Sequence, residues 1–326
     1  MTDNIATPFA KPLYVMLKPA GAHCNLACKY CYYLEKNNLY DKSHRHIMSD
    51  EMLEQFTREY IEAQTMPQVL FTWHGGEPLM RSIDFYKKAL ALQKKYARGR
   101  RIDNVIQTNG TMLTDEWCEF FAQNNWLVGI YLQFTLIVER LTQHQDGRTL
   151  ASLADNHEIP LADFSVTPEQ WGNFLCAIFE EWVHNDVGKM FVEIFDCTLA
   201  NWMGVLPGIC AYSKNCGHAG VMEHNGDVYS CDHFVFPEYK LGNIRDHTLI
   251  EMLYGDKQHA FSRLKHTSLP RQCKECDMEF ACHGECPKNR FEKDKYGEPG
   301  LNYLCKGYFQ YYSHVAPYMD VMKREL

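Results

Sequence analysis

The chain has no basic excess. Its 33 lysines and arginines are outnumbered by 41 acidic residues, a net charge of −8, so nothing general draws it to nucleic acid or to an anionic membrane. Residues 126–138 (WLVGIYLQFTLIV) form a nearly continuous apolar run, but thirteen residues carrying Gln133 and Thr135 are too few and too polar for a membrane span. The start, Met1-Thr-Asp-Asn, lacks the basic region and apolar stretch of a secretory signal, so a cytoplasmic protein is expected. Without that signal, 14 cysteines in 326 residues suggest metal rather than disulfides. Hydrophobic content of 46% and charged content of 23% are ordinary for a globular chain large enough to bury a substantial core.

The cysteines fall in groups. Cys24-Asn-Leu-Ala-Cys28-Lys-Tyr30-Cys31 packs three thiols into eight residues. Three thiolates can hold three irons of a [4Fe–4S] cube and leave the fourth open to a small molecule, whereas four protein thiolates leave no such corner. A zinc site completed by His23 is the competing reading, made awkward by its position directly beside Cys24. Cys210, Cys216 and Cys231 form a second group, and Cys273, Cys276, Cys282, Cys286 and Cys305 a third. Those eight thiols suit two fully ligated cubes or, on spacing alone, two zinc sites. The remaining three, Cys118, Cys176 and Cys197, sit in apolar surroundings and read as buried small hydrophobes.

The first half alternates short apolar runs at 13–17, 69–73 and 104–108 with helical patterns at 50–64, 83–98 and 115–124. Ser49 and Thr114 suit two of the helix starts. Such alternation predicts parallel strands with helical crossovers, an α/β sheet or barrel, with chemistry at the carboxyl ends of the strands. There the cysteine loop follows the first strand, Gly75-Gly76-Glu77-Pro78 the second, and Gln107-Thr-Asn-Gly110 ends the third. Two glycines admit close backbone approach, and the adjoining carboxylate can accept from an ammonium group. The run 126–138, too long for one strand, reads as two strands abutted without a turn. Thr167-Pro168-Glu169-Gln170 starts a helix expected to reach about Val183, followed by a strand near 190–195. A change of character comes at 200–208. Asn225-Gly226 marks a hairpin within 221–230, and residues 303–326 read as a helix interrupted near Pro317.

At these motifs the chain resembles the anaerobic sulfatase-maturating enzymes, radical S-adenosylmethionine (SAM) proteins with a carboxy-terminal SPASM domain. The likeness rests on Lys18-Pro-Ala-Gly-Ala-His-Cys24, Cys31-Tyr-Tyr33, His74-Gly-Gly-Glu-Pro78, Gln107-Thr-Asn-Gly110, Cys216-Gly-His-Ala-Gly220 and Asn225-Gly-Asp-Val-Tyr-Ser-Cys-Asp232. It implies a partial (β/α)6 radical SAM barrel over residues 1–200 and an iron–sulfur domain over 201–326. It implies three [4Fe–4S] clusters: the SAM-binding one on Cys24, Cys28 and Cys31, and two auxiliary ones on the other eight cysteines. By position, Cys210, Cys216, Cys231 and Cys286 would hold one auxiliary cluster and Cys273, Cys276, Cys282 and Cys305 the other; the spacing equally allows a sequential pairing. Tyr30, Gly75, Gly76 and Glu77 would position SAM, Tyr33 would shape the substrate side, and Asp232 would be the base. The implied reaction cleaves SAM reductively, takes hydrogen from Cβ of a cysteine or serine in an unfolded sulfatase, and yields Cα-formylglycine. An electron donor such as a flavodoxin or ferredoxin is implied as partner. After Val128-Gly-Ile130 the family continues with a segment of several tens of residues that is absent here, which would shorten the barrel at the Ile130–Tyr131 junction. Two alternatives stand: another SPASM peptide-modifying enzyme, such as a thioether-forming maturase, or a catalytically impaired iron–sulfur remnant.

Overall fold

A computed structural model describes residues 13–28, 31–33, 36, 39–40, 46–129, 136–144, 147–150 and 159–325, with the backbone alone at 142–144 and 147–150. From the amino end, β1 (Tyr14–Leu17), α1 (Asp50–Ala63), β2 (Gln68–Trp73), α2 (Ile83–Tyr96), β3 (Arg101–Gln107), α3 (Asp115–Gln123) and β4 (Leu127–Gly129) alternate. The hairpin β5 (Leu141–His144) and β6 (Gly147–Leu150) precedes α4 (Pro168–Asn185) and α5 (Glu193–Trp202). Next come β7 (Ala219–Met222), β8 (Asp227–Tyr229), β9 (Lys240–Asn243), α6 (Leu249–Leu253) and α7 (Asp256–Thr267). Short pieces α8 (Arg271–Lys274), α9 (Glu279–Cys282), β10 (Glu292–Lys293) and β11 (Pro299–Leu301) lead to α10 (Cys305–Glu325). Two compact units result: Met1–Tyr131 with His218–Ala260, and Leu132–Gly217 with Phe261–Leu326.

The first unit is built on one sheet of order β4-β3-β2-β1-β7-β8-β9, with parallel neighbours from β4 to β7 and antiparallel ones beyond. The strands expected at 13–17, 69–73 and 104–108 and the helices at 50–64, 83–98 and 115–124 are present, because each carries the matching apolar period. In α1, Met52, Leu53, Phe56, Tyr60 and Ile61 form one buried face, and the Ser49 side chain accepts from the Met52 N–H at its start. Thr114 caps α3 in the same way. The core gathers Val15, Leu17, Phe56, Phe71, Trp73, Tyr86, Trp117 and Trp126. The hairpin at Asn225-Gly226 forms as expected, with Gly226 at φ +88°, a left-handed position that glycine takes without strain.

In the second unit α4 packs along α10 around Trp171, Phe179, Phe195, Tyr308, Tyr311 and Tyr312. Thr167 and Gln170 form the anticipated reciprocal cap on α4. Three expectations are corrected. The strand foreseen near 190–195 is instead the start of α5, whose buried Ile194, Phe195, Thr198, Asn201 and Trp202 repeat with helical period. α10 runs through Pro317 without interruption; packing of Val315 and Met319 on both sides of it outweighs one missing hydrogen bond. Cys118 is exposed, not buried, because it lies on the outer face of α3; Cys176 is half-buried and Cys197 buried. Of the apolar run 126–138, Leu127–Gly129 is β4, positions 130–135 lie outside the described residues, and 136–139 are not strand.

Candidate active site and cysteine centres

Because β1, β2 and β3 are parallel and in register, with Leu17 opposite Trp73 and Trp73 opposite Ile106, the loops after them leave one edge of the sheet. Backbone bonds strap those loops together. The Gly76 N–H donates to the Gly21 carbonyl at 2.9 Å, and the Glu77 N–H to that of His23 at 2.9 Å. A Cβ on Gly76 would stand 2.2 Å from the His23 carbonyl oxygen, so only glycine fits. Glu77 is fully buried. Its carboxylate accepts from the Leu79 N–H, the Thr108 hydroxyl and the Asn109 N–H, each at 2.8 Å. It thus binds the second and third loops to each other. Asn109 reaches on toward the first: its amide donates to Asn25 Oδ1 at 2.9 Å and lies 3.7 Å from Cys24 Sγ. Tyr30 lies outside the described residues.

Beside this edge is a buried charged group. Lys18, directly after β1 and fully buried, pairs through its ammonium with Asp232 Oδ1, and Asp232 Oδ2 accepts from the Tyr32 hydroxyl. Burial alone would raise the Asp232 carboxyl, but the Lys18 ammonium holds it well below the usual carboxylate range. Asp232 is therefore ionised across the neutral range. The Lys18 ammonium also stands 3.2 Å over the centre of the Tyr33 ring, and the Tyr33 hydroxyl donates to buried Glu223. Burial, then the charge of Lys18, lowers His74 to about 4, so its ring is neutral, with Nδ1 accepting from the Gly75 N–H at 2.7 Å. Lys18, Tyr32 and His74 had no assigned role in the sequence reading. Lys18 and His74 could have been singled out as polar residues immediately after parallel strands.

In the second unit Cys273, Cys276, Cys282 and Cys305 line one cavity of about 420 Å³. Burial, and then the neighbouring thiol Cys305, push Cys273 up to about 12; burial takes Cys305 and Cys216 to about 11. Cys286 is raised by burial and by Glu285, Cys210 and Cys216, which places these three thiols within electrostatic reach of one another. Cys231 belongs to the first unit, one residue before Asp232. Among the described residues, no three His, Cys, Asp or Glu side chains converge tightly enough for a single metal ion. The four cavity thiols instead surround a volume, and crowded buried thiols of raised pKa ionise only with a strong positive centre among them. That donor set fits an iron–sulfur cube.

Residues 19–140 match the Radical SAM superfamily, and residues 216–277 match an iron–sulfur cluster-binding domain. The chain is 60% identical to a serine-type anaerobic sulfatase-maturating enzyme of Bacteroides thetaiotaomicron, covering 100% of this chain and 95% of the relative. It is 31% identical to the serine-type enzyme of Klebsiella aerogenes, over 97% of this chain and 88% of that one. To a cysteine-type enzyme of Clostridium perfringens it is 25% identical, over 94% and 97%. The fold matches the solved structure of native anSMEcpe with bound AdoMet at a TM-score of 0.80 and 24% identity, covering 97% of this chain and 100% of that one. The alignment with the Bacteroides relative spans 392 positions against 326 residues here, so at least 66 of its positions have no counterpart in this chain.

Proposed function

The chain belongs to the anaerobic sulfatase-maturating enzymes, a radical SAM family with an iron–sulfur domain, and on that premise we propose that it oxidises a serine of a sulfatase polypeptide to Cα-formylglycine. Serine is preferred over cysteine because the relative at 60% identity is serine-type, while the cysteine-type relative stands at 25%. When bound, SAM and the three clusters supply the radical that takes one Cβ hydrogen atom and the route for the second electron. The cluster ligands are Cys24, Cys28 and Cys31 for the SAM-binding site. Cys273, Cys276, Cys282 and Cys305 hold one auxiliary cluster, and Cys210, Cys216 and Cys286, with Cys231 by family position, the other. By family position Gly75, Gly76 and Tyr30 would position SAM, and Glu77 contributes by fixing the loops around it.

Asp232 accepts the hydroxyl proton. Lys18 and Tyr32 keep it ionised and aimed, and Tyr33 fills the floor beneath Lys18. A carboxylate of depressed pKa is a weak base, so transfer to it has to accompany formation of the carbonyl, when the substrate proton is most acidic. A cytoplasmic setting and a flavodoxin or ferredoxin as reductant complete the proposal. Among the described residues no helix is long and apolar enough to cross a membrane.

The identity to the Bacteroides enzyme across the whole chain carries this reading. Its test is mass spectrometry of serine- and cysteine-containing sulfatase peptides after anaerobic incubation with SAM and reductant, beside Asp232→Asn. The substitution should lower formylglycine formation about 10²–10⁴-fold while 5′-deoxyadenosine release survives better. Equal loss of both would make Asp232 a structural residue. A second reading, an enzyme impaired in SAM turnover, is favoured by the 66 unmatched positions, which we assign to the Ile130–Tyr131 junction. Absence of 5′-deoxyadenosine in the unsubstituted chain, with all clusters loaded, would select it.

A further inference from the structure

The second unit contains two buried cations, Lys265 and Arg290, that share one buried carboxylate, Glu285, within electrostatic reach and bond to none. Lys265 is fully buried, and its ammonium donates to the carbonyls of Cys210, Ala211 and Ser213. Arg290, 7% exposed, donates through Nε to the Gly284 carbonyl at 2.8 Å and through Nη2 to those of His283 at 2.7 Å and Glu285 at 3.1 Å. Its Nη1 donates to the carbonyl of Lys265 itself. Glu285, the buried carboxylate of the region, accepts instead from Asn289 and Asn302. Among the described residues, the hydrogen bonds of both cations go to backbone carbonyls and none to a carboxylate. Two buried cations against one carboxylate leave an excess positive charge held only by carbonyl dipoles; buried charge is expensive unless compensated, so the site implies a further anion that completes it.

The backbone is shaped around Arg290. His283, Gly284 and Glu285 are successively left-handed, at φ +47°, +67° and +53°. That run is strained for two side-chain-bearing residues, yet it turns three consecutive carbonyls onto one guanidinium. A Cβ on Gly284 would come within 2.6 Å of Arg290 Nη2. This loop leads from Cys282, in the four-thiol cavity, to Cys286, in electrostatic reach of Cys210 and Cys216. Lys265 gathers the carbonyls of the loop that starts at Cys210.

We propose that Lys265 and Arg290 are the built-in counter-cations of the two auxiliary cysteine sets and raise their reduction potentials. The proposal rests on the assignment of iron–sulfur cubes to those cysteines. A cube held by four thiolates is a net anion, more so when reduced, and a cation fixed nearby in a poorly solvated interior favours the reduced form. Arg290 cannot shed its proton, so its charge is permanent, and its position on the loop between Cys282 and Cys286 lets one guanidinium serve both sets.

The test is an EPR-monitored redox titration of the anaerobically reconstituted full chain, with iron and zinc counted in the same samples. Lys265→Gln and Arg290→Gln should each move the auxiliary signals to lower potential. Arg290→Lys should stay nearer the unsubstituted value, and the signal of the Cys24–Cys28–Cys31 centre should not move. Unshifted auxiliary potentials in the Gln variants at full iron content would overturn the proposal and leave the two residues as ties between loops. Should Arg290→Gln fail to retain iron, Lys265→Gln decides by the same criterion. Zinc in place of auxiliary iron in the unsubstituted chain would overturn the cluster assignment, and this proposal with it.

Discussion

Lys18→Met takes the ammonium out of a pair in which Lys18 is fully buried and the Asp232 side chain is 16% exposed. Removing one member of a buried ion pair typically costs about 3–5 kcal/mol, because the other charge is left without compensation. Here the Tyr32 hydroxyl still donates to Asp232 and a little solvent reaches it, which argues for the lower end, about 3 kcal/mol. Lost contact between the ammonium and the Tyr33 ring adds about 0.5–1 kcal/mol. Urea unfolding followed by circular dichroism under anaerobic conditions measures the loss. In Lys18→Met/Asp232→Asn the orphaned charge is gone, so the double variant should be more stable than Lys18→Met alone. The pH dependence has a definite sign. A carboxylate of depressed pKa stabilises the fold above its unfolded value, and that stability disappears as pH falls through the folded value. Without Lys18, burial pushes Asp232 up, so the acid transition should begin at higher pH. A loss below about 1 kcal/mol, with no relief from the second substitution, would refute the buried pair as a stabilising element.

Gly76→Ala drives a Cβ into the His23 and Ala22 carbonyls, at 2.2 and 2.6 Å; expect about 1–3 kcal/mol of destabilisation and weaker SAM binding by equilibrium dialysis. Wild-type affinity would mean that the loop strap yields freely. His74, held at about 4 against an ordinary 6.5, takes up no proton in the folded state between those values while the unfolded chain does. Stability should therefore decline as pH falls across that window, by up to about 3 kcal/mol at its lower end, and His74→Gln should flatten the decline in urea midpoints. An unchanged slope would exclude His74 as its source. Replacing Cys24, Cys28 and Cys31 with alanine should reduce iron from about twelve to about eight atoms per chain by colorimetric assay; loss of nearly all iron would show that the auxiliary sets depend on the first.

What could be read from the chain was whatever is local. Apolar spacing and caps located α1, α2, α3 and α4, and the thiol spacing singled out the metal-binding regions without any structure. The segment at 190–195 failed because a six-residue apolar window is too short to separate strand from helix; only the buried positions through Trp202 reveal the period. Pro317 marks a helix break in isolation, and the break is overruled by tertiary packing along α4, which no local rule contains. The site shows the same division. Asp232 stood out directly after Cys231, but its partner Lys18 lies 214 residues away in sequence. Nothing in either neighbourhood announces which carboxylate a buried lysine will reach. Glu77 likewise looked available to a ligand until the turn at Thr108–Asn109 was seen to occupy it.

The parallel pairing of β1 with β7 also sets a timetable for synthesis. Met16 is bonded on one side opposite Thr72 and on the other opposite Val221, so half of the strand's partners emerge from the ribosome long after the rest. At about 5–20 residues per second, the roughly 150 residues between β2 and β7 take on the order of 10–30 s to appear. During that interval β1 presents a bare edge of the kind that recruits other strands. A nascent chain of this protein is thus more exposed to misassociation than its finished stability would suggest. Any product terminated before Ala219 would keep that edge permanently, and chaperone dependence in the cell should track the late arrival of β7 more closely than the loading of any cofactor.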